Sequence, residues 1–265
     1  MRNIKAKRIV VKIGTNVLAN SDGMLDIGIM QKLVSQVADI KSNGKEIIII
    51  TSGAIGAGMK ELQLSSKPRD VVMRQVCAGV GQSILMAEYY RLFHRYDIKI
   101  AQILLTYDVF TNKKTFTNFR NGLNKLLEFG VVPVINENDP ISIDEIGPSF
   151  GDNDNLSALI TAKMGADLLA ILTDVDGLYN KKPNKKNAVL IKEVKKIDKS
   201  IVSISGKPSK LGVGGMYTKI MAAKTATKAG AFVVIANGTK DDVLIKILSN
   251  KEIGTVFFPM HFRKP

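Results

Sequence analysis

Short continuous runs of isoleucine and valine alternate with longer stretches of helical period along most of the chain. The apolar runs are Arg8–Ile13, Glu46–Thr51, Ile98–Leu105, Val131–Asn136, Asp167–Thr173 and Ala231–Asn237. Runs this continuous suit strands covered on both faces, as in a parallel sheet. Between them Ile27–Lys41, Asp70–His94, Lys114–Phe129, Asn155–Met164, Met216–Ala229 and Asp241–Ser249 read as helices. Gly44, Gly130, Gly165 and Gly230 follow helical segments, where the position past the helix end adopts the left-handed conformation that a Cβ disfavours. The alternation predicts an α/β fold, a three-layer α/β/α sandwich with a mostly parallel central sheet.

Two stretches interrupt the pattern. Pro140–Phe150 alternates Ile-Ser-Ile-Asp-Glu-Ile before Gly147-Pro148 and reads as a short hairpin or flap. Asn180–Pro208 is polar and rich in lysine, a surface excursion. Neither is poor enough in apolar residues to act as a linker, and no repeat occurs. Residues 1–265 are therefore expected to form a single domain.

The sole cysteine, Cys77, leaves no internal disulfide to form, which suits a reducing compartment. Basic residues lead straight into the first strand without the apolar core of a signal peptide. No apolar stretch approaches the ~20 residues that span a bilayer. A soluble, cytoplasmic protein without membrane contact is expected. The formal charge of +14 would by itself suggest a nucleic-acid partner. Yet Lys181–Lys228 places thirteen lysines against only Glu193 and Asp198, with Tyr217 its one aromatic. Stacking platforms are scarce there, so a solvated lysine surface is the simpler reading and no nucleic acid is expected.

Against this basic background, Asn136–Asp154 gathers six carboxylates (Glu137, Asp139, Asp144, Glu145, Asp152, Asp154) and three asparagines in nineteen residues. Such a patch suits an amino group, a metal or a catalytic lysine. Lys12 ends the first strand just before Gly14; it either snorkels to water or points to the carboxyl edge where open α/β sheets bind ligands. Ser52 to Gly58 and Leu211 to Gly215 are glycine-rich turns opening helices, where backbone N–H groups favour anions. Lys219 stands in the first turn of its helix, where a cation opposes the macrodipole unless an anion shares the site. Thr173-Asp174-Val175-Asp176-Gly177 ends another buried strand; its carboxylates suit contact with a ribose, a metal or a lysine, and ordinary Asp-Gly turn chemistry explains them equally well. His94 and His261 fit no metal or triad spacing, and Cys77 reads as core, so hydrolase triads and zinc catalysis lack support.

In chain order, VVKIGTNVL, TSGAIGAG, INEND, FGDND, TDVDGLY and GVGGMYTK resemble the amino acid kinase family, most closely its glutamate-phosphorylating members. INEND followed closely by FGDND is the specific pair; carbamate, acetylglutamate, aspartate and UMP kinases share the other motifs more loosely. One departure is Val213, where many relatives carry threonine. The resemblance implies transfer of a phosphoryl group from ATP to the γ-carboxylate of L-glutamate, the first step of proline synthesis.

By matching positions, Lys12, Lys219 and Asp154 would be catalytic, with Asp154 holding the two ammonium groups. Ser52, Gly53, Asn138, Asp139, Asp152 and Asn153 would bind glutamate. ATP would lie on Lys12, Gly14, Thr173, Asp174, Gly212, Val213, Gly214, Gly215, Met216 and Lys219. Mg²⁺ would ride on the nucleotide phosphates without a direct side-chain ligand. The resemblance further implies an amino-acid lobe over roughly residues 1–165 and a nucleotide lobe over 166–265; length is a second departure, since many relatives carry a C-terminal PUA domain and a form without it is expected here. It also implies a homodimer or homotetramer, and feedback inhibition by proline sensed at the flap. The nearest rival is a kinase of the same fold for another small acid.

Overall fold

A computed structural model describes residues 3–20, 23–141, 153–183, 185–206 and 215–261. In chain order its elements begin with β1 (Arg8–Ile13), α1 (Thr15–Leu18), α2 (Ile27–Ser42), β2 (Glu46–Ile50), α3 (Ala54–Glu61) and α4 (Val71–His94). Then come β3 (Ile100–Leu105), α5 (Asp108–Thr111), α6 (Lys113–Glu128), β4 (Val132–Glu137), α7 (Asn153–Lys163) and β5 (Leu168–Thr173). The last are β6 (Glu193–Val194), α8 (Lys199–Ile204), α9 (Met216–Lys228), β7 (Phe232–Asn237), α10 (Val243–Leu248) and β8 (Thr255–Phe257). The fold is α/β with mostly parallel strands flanked by helices, as the alternation predicts.

The chain forms two compact units, Ile13–Asp144 and Met1–Lys12 with Glu145–Pro265. In the first, the strand order is β3-β4-β2, all parallel. The run Ile47–Ile50 is wholly buried, which is why it shows no polar alternation. Met30, Leu33, Val34, Val37 and Ile40 make the buried face of α2, a 3.6-residue period. Asp26, Asp70 and Asn112 cap α2, α4 and α6 by accepting from the backbone N–H of Ile29, Met73 and Thr115. Helices α3 and α4 approach through two glycines. A Cβ on Gly58 would lie 1.8 Å from the Cys77 carbonyl oxygen, and one on Gly81 would lie 1.8 Å from that of Ala54.

In the second unit the strand order is β1-β5-β7-β8-β6. Residues of β5 and β7 pair in parallel from Leu168↔Phe232 to Thr173↔Asn237, so both strands end at one edge. The Asp167 carboxylate accepts from the backbone N–H of Lys7 and Arg8 at 2.8 and 2.9 Å, anchoring the start of β1. Strand β8 is antiparallel to β7. The four glycines expected past helix ends all have positive φ, +72° at Gly44, +70° at Gly130, +67° at Gly165 and +87° at Gly230. The flap expected over Pro140–Phe150 falls almost entirely outside the described residues. The lysine-rich excursion is not wholly irregular: it contains β6 and α8.

Candidate functional site

Strand β1 is buried from Ile9 to Ile13, and Lys12 near its carboxyl end is only 5% exposed. An ammonium this far from water needs a counter-charge. Asp154 supplies it: its Oδ1 lies 2.6 Å from Lys12 Nζ. Asp154 sits in the first turn of α7, where the helix macrodipole favours a carboxylate, and it is fully buried. Its other oxygen, Oδ2, accepts from Lys219 Nζ at 3.0 Å and from Thr218 Oγ1 at 2.8 Å.

Lys219 comes from the first turn of α9, where a cation is unfavourable without a nearby anion. Asp154 is that anion. Burial pushes the Asp154 carboxyl up, but the ammonium groups of Lys12 and Lys219 outweigh it and hold the group below the usual carboxylate range. Two buried ammonium groups thus face one carboxylate, leaving an excess of positive charge. That arrangement suits polyanion chemistry and not proton abstraction.

The nearby carboxyl ends of β5 and β7 gather further polar groups. Buried Thr173 donates to Asp174 Oδ1 at 3.0 Å. Asn237, opposite Thr173 in the register, donates from Nδ2 to Asp176 Oδ1 at 3.1 Å, and Lys240 Nζ lies 3.8 Å from the same oxygen. Sequence reasoning passed over Thr218, Asn237 and Lys240, whereas Asp176 is one of the strand-end carboxylates of the TDVDGLY motif. The signal for Asn237 was its place as the last residue of an apolar run, as Thr173 is of its own. Gly215 caps α9 with φ +112°, and Met216 is the first helical residue. Gly212, Val213 and Gly214 lie outside the described residues, as does Asp152. Asn153 opens α7 beside Asp154.

The other unit places a second polar group at the carboxyl ends of β2 and β4, which pair in register at Ile50↔Ile135. Ser52 and Gly53 follow β2. Gly53 holds φ +102° as the cap of α3, a conformation that a side chain opposes. Behind them the buried Thr51 and Tyr89 hydroxyls lie 2.9 Å apart, tying this turn to α4. Gly14 caps α1 at the end of β1.

Asn138 and Asp139 follow β4 in a turn, with the backbone N–H of Ile141 donating to the Asn138 carbonyl at 3.1 Å. Burial pushes the half-buried Asp139 carboxyl up to about 6, while the Arg74 guanidinium on α4 draws it down. Arg74 is a further residue that sequence reasoning passed over. The buried pair Asn136 and Gln82 bonds at 2.9 Å, so the end of β4 is held against α4. Among the described residues no three His, Cys, Asp or Glu side chains come together as a metal cluster.

The sequence signature of the Amino acid kinase family matches residues 7–237. The chain is 46% identical over 259 residues to a glutamate 5-kinase from Methanococcoides burtonii, covering 97% of this chain and 69% of that one. It is 48% identical to a glutamate 5-kinase from Methanosarcina mazei, covering 94% of this chain and 67% of that one. Among solved structures it superposes on UMP kinase from Bacillus anthracis with TM-score 0.66 at 16% identity, over 97% of each chain. Carbamate kinase from Giardia lamblia bound to AMP-PNP matches with TM-score 0.67 at 16% identity, over 95% of this chain and 98% of that one. These two structures share the fold.

Proposed function

The chain belongs to the amino acid kinase family, on its glutamate 5-kinase branch, and we propose that it transfers the γ-phosphoryl group of ATP to the γ-carboxylate of L-glutamate. A γ-carboxylate oxygen attacks the γ-phosphorus, the bond from that phosphorus to the bridging oxygen breaks, and ADP leaves with the electron pair. The products are glutamate 5-phosphate and ADP.

The observation that carries this reading is the buried Lys12–Asp154–Lys219 cluster. A carboxylate with an ordinary pKa of ~4.3 is already ionised at neutral pH and needs no general base. The barrier is the approach of one anion to a polyanion, and fixed positive charge lowers it. Lys12 and Lys219 supply that charge. Asp154 positions both ammonium groups and takes no proton.

By the matching motifs, ATP is assigned to Lys12, Gly14, Thr173, Asp174 and the Gly212–Lys219 segment. Glutamate is assigned to Ser52, Gly53, Asn138, Asp139, Asp152 and Asn153, with Asp139 receiving the α-ammonium. The amino-acid lobe is placed at roughly residues 1–165 and the nucleotide lobe at 166–265. Mg²⁺ would be carried by the nucleotide phosphates and would neutralise part of their charge. Both Asp154 oxygens already serve lysines, so that carboxylate is not a natural ligand for it. Proline inhibition, a homodimer or homotetramer, and a cytoplasmic setting complete the proposal. No helix among the described residues is long and apolar enough to cross a membrane.

ADP release measured with glutamate, aspartate, N-acetylglutamate, carbamate and UMP tests the substrate, with hydroxylamine added to trap the acyl phosphate. Glutamate-dependent hydroxamate supports the proposal; ADP release dependent on another acceptor alone rejects it.

A further inference from the structure

Two donors on successive residues of α9 compete for the same two acceptors. Thr218 Oγ1 lies 2.8 Å from Asp154 Oδ2 and 3.0 Å from the Gly215 carbonyl oxygen. Lys219 Nζ lies 3.0 Å from the same Asp154 oxygen and 3.4 Å from the same carbonyl. The hydroxyl has one proton and the ammonium three. The charged oxygen is the stronger acceptor, so the Thr218 hydroxyl donates to Asp154 Oδ2. Lys12 occupies the opposite oxygen of this carboxylate.

We infer that Thr218 is a positioning residue for phosphoryl transfer: its hydroxyl fills the second acceptor direction of Asp154 Oδ2 and so keeps the Lys219 ammonium from turning further onto that carboxylate. The inference rests on the proposed reaction. Lys219 stabilises charge in the transition state only with the N–H bonds that Asp154 leaves to it. Without the hydroxyl, the acceptor direction that Thr218 fills opens, and the Lys219 ammonium, 3.0 Å from the same oxygen, shifts toward it. The ground-state ion pair tightens and the transition state loses a donor. Thr218 suits this task as a β-branched residue in the first turn of a helix, because few rotamers are open to it.

Steady-state kinetics on the full chain with Thr218→Val, Thr218→Ala and Thr218→Ser test this. Valine keeps the shape and removes the proton; alanine serves if the valine chain does not fold. Valine should lower kcat by about ten- to a hundredfold, the range carried by a hydrogen bond to a charged group. The KM values for glutamate and ATP should stay within about twofold, since the lost interaction belongs to the transition state. Serine should restore kcat, and thermal midpoints should stay near that of the wild type. Wild-type kcat in the valine and alanine chains overturns the inference. So does a raised KM for ATP at unchanged kcat, a serine chain as slow as the valine one, or a loss that merely follows the folded fraction. A wild-type chain without glutamate-dependent ADP release instead overturns the functional reading, and this inference with it.

Discussion

Lys12 and Asp154 form an ion pair at 2.6 Å with side-chain exposures of 6% and 0%, and Lys219 closes on the other oxygen of the same carboxylate. One buried acid therefore orders two cations. A buried pair gains little over an apolar substitute, but removing one member leaves a charge without compensation. The arrangement makes sense as a site before it makes sense as a source of stability.

Asp154→Asn should destabilise the fold, because it strands two ammonium groups away from water. The expected cost is about 3–5 kcal/mol in urea unfolding, and turnover should be lost as well. A change within about 1 kcal/mol would show that the cluster is more hydrated than its burial indicates.

Lys12→Met and Lys219→Met keep the side-chain length and remove the charge. Each leaves Asp154 with the other lysine, so folding should survive. Turnover should fall by about 10²–10³-fold, as for loss of one transition-state donor. Near-normal kcat in both variants would detach the cluster from the chemistry.

Asp139 should make glutamate binding sensitive to pH near 6, the position to which burial raises its carboxyl. To pair with the substrate ammonium it must be ionised, so KM for glutamate should rise as pH falls through about 6. Stability follows the opposite course. The folded chain binds this proton more tightly than the unfolded one, so the contribution is fully present below the unfolded pKa of ~3.9 and fades as pH rises through about 6. Asp139→Asn should raise KM at neutral pH and remove both pH dependences. A pH profile of KM unchanged by the substitution would reassign the residue.

Gly81→Ala should disrupt the unit built on β2, β3 and β4. Its methyl would lie 1.8 Å from the Ala54 carbonyl oxygen and 2.3 Å from the Gly58 nitrogen, atoms of the α3 backbone that cannot move alone. Overpacking of this kind costs about 1–3 kcal/mol or more, read as a lower thermal midpoint. Because α3 opens at Gly53, glutamate binding should weaken together with stability. A wild-type midpoint would mean that the two helices part easily.

The long strands were legible because each is a mostly apolar run bounded by turn residues, with Lys12 in β1 and Gln102 in β3 among the polar members. The short ones were not. Strand β8 has three residues and owes its conformation to register, with Val256 set opposite Val234. Helix α3 carries Gly56 and Gly58, which weaken local helical preference, yet Gly58 is what lets it seat against α4. Tertiary contact overrode propensity in α3, whereas β8 has strand-forming residues but is too short to stand out along the chain.

Along the chain alone, the spacing of apolar residues determined the α/β alternation, the glycines past helix ends and the motifs that carry the family resemblance. Those features act through neighbours a few residues apart, so a linear reading can see them. That Lys219 meets Asp154, 65 positions away, and that Arg74 on α4 faces Asp139 after β4, only the tertiary structure decided. Removal from water sets the strength of such charge pairs, and water is excluded only once distant segments have packed.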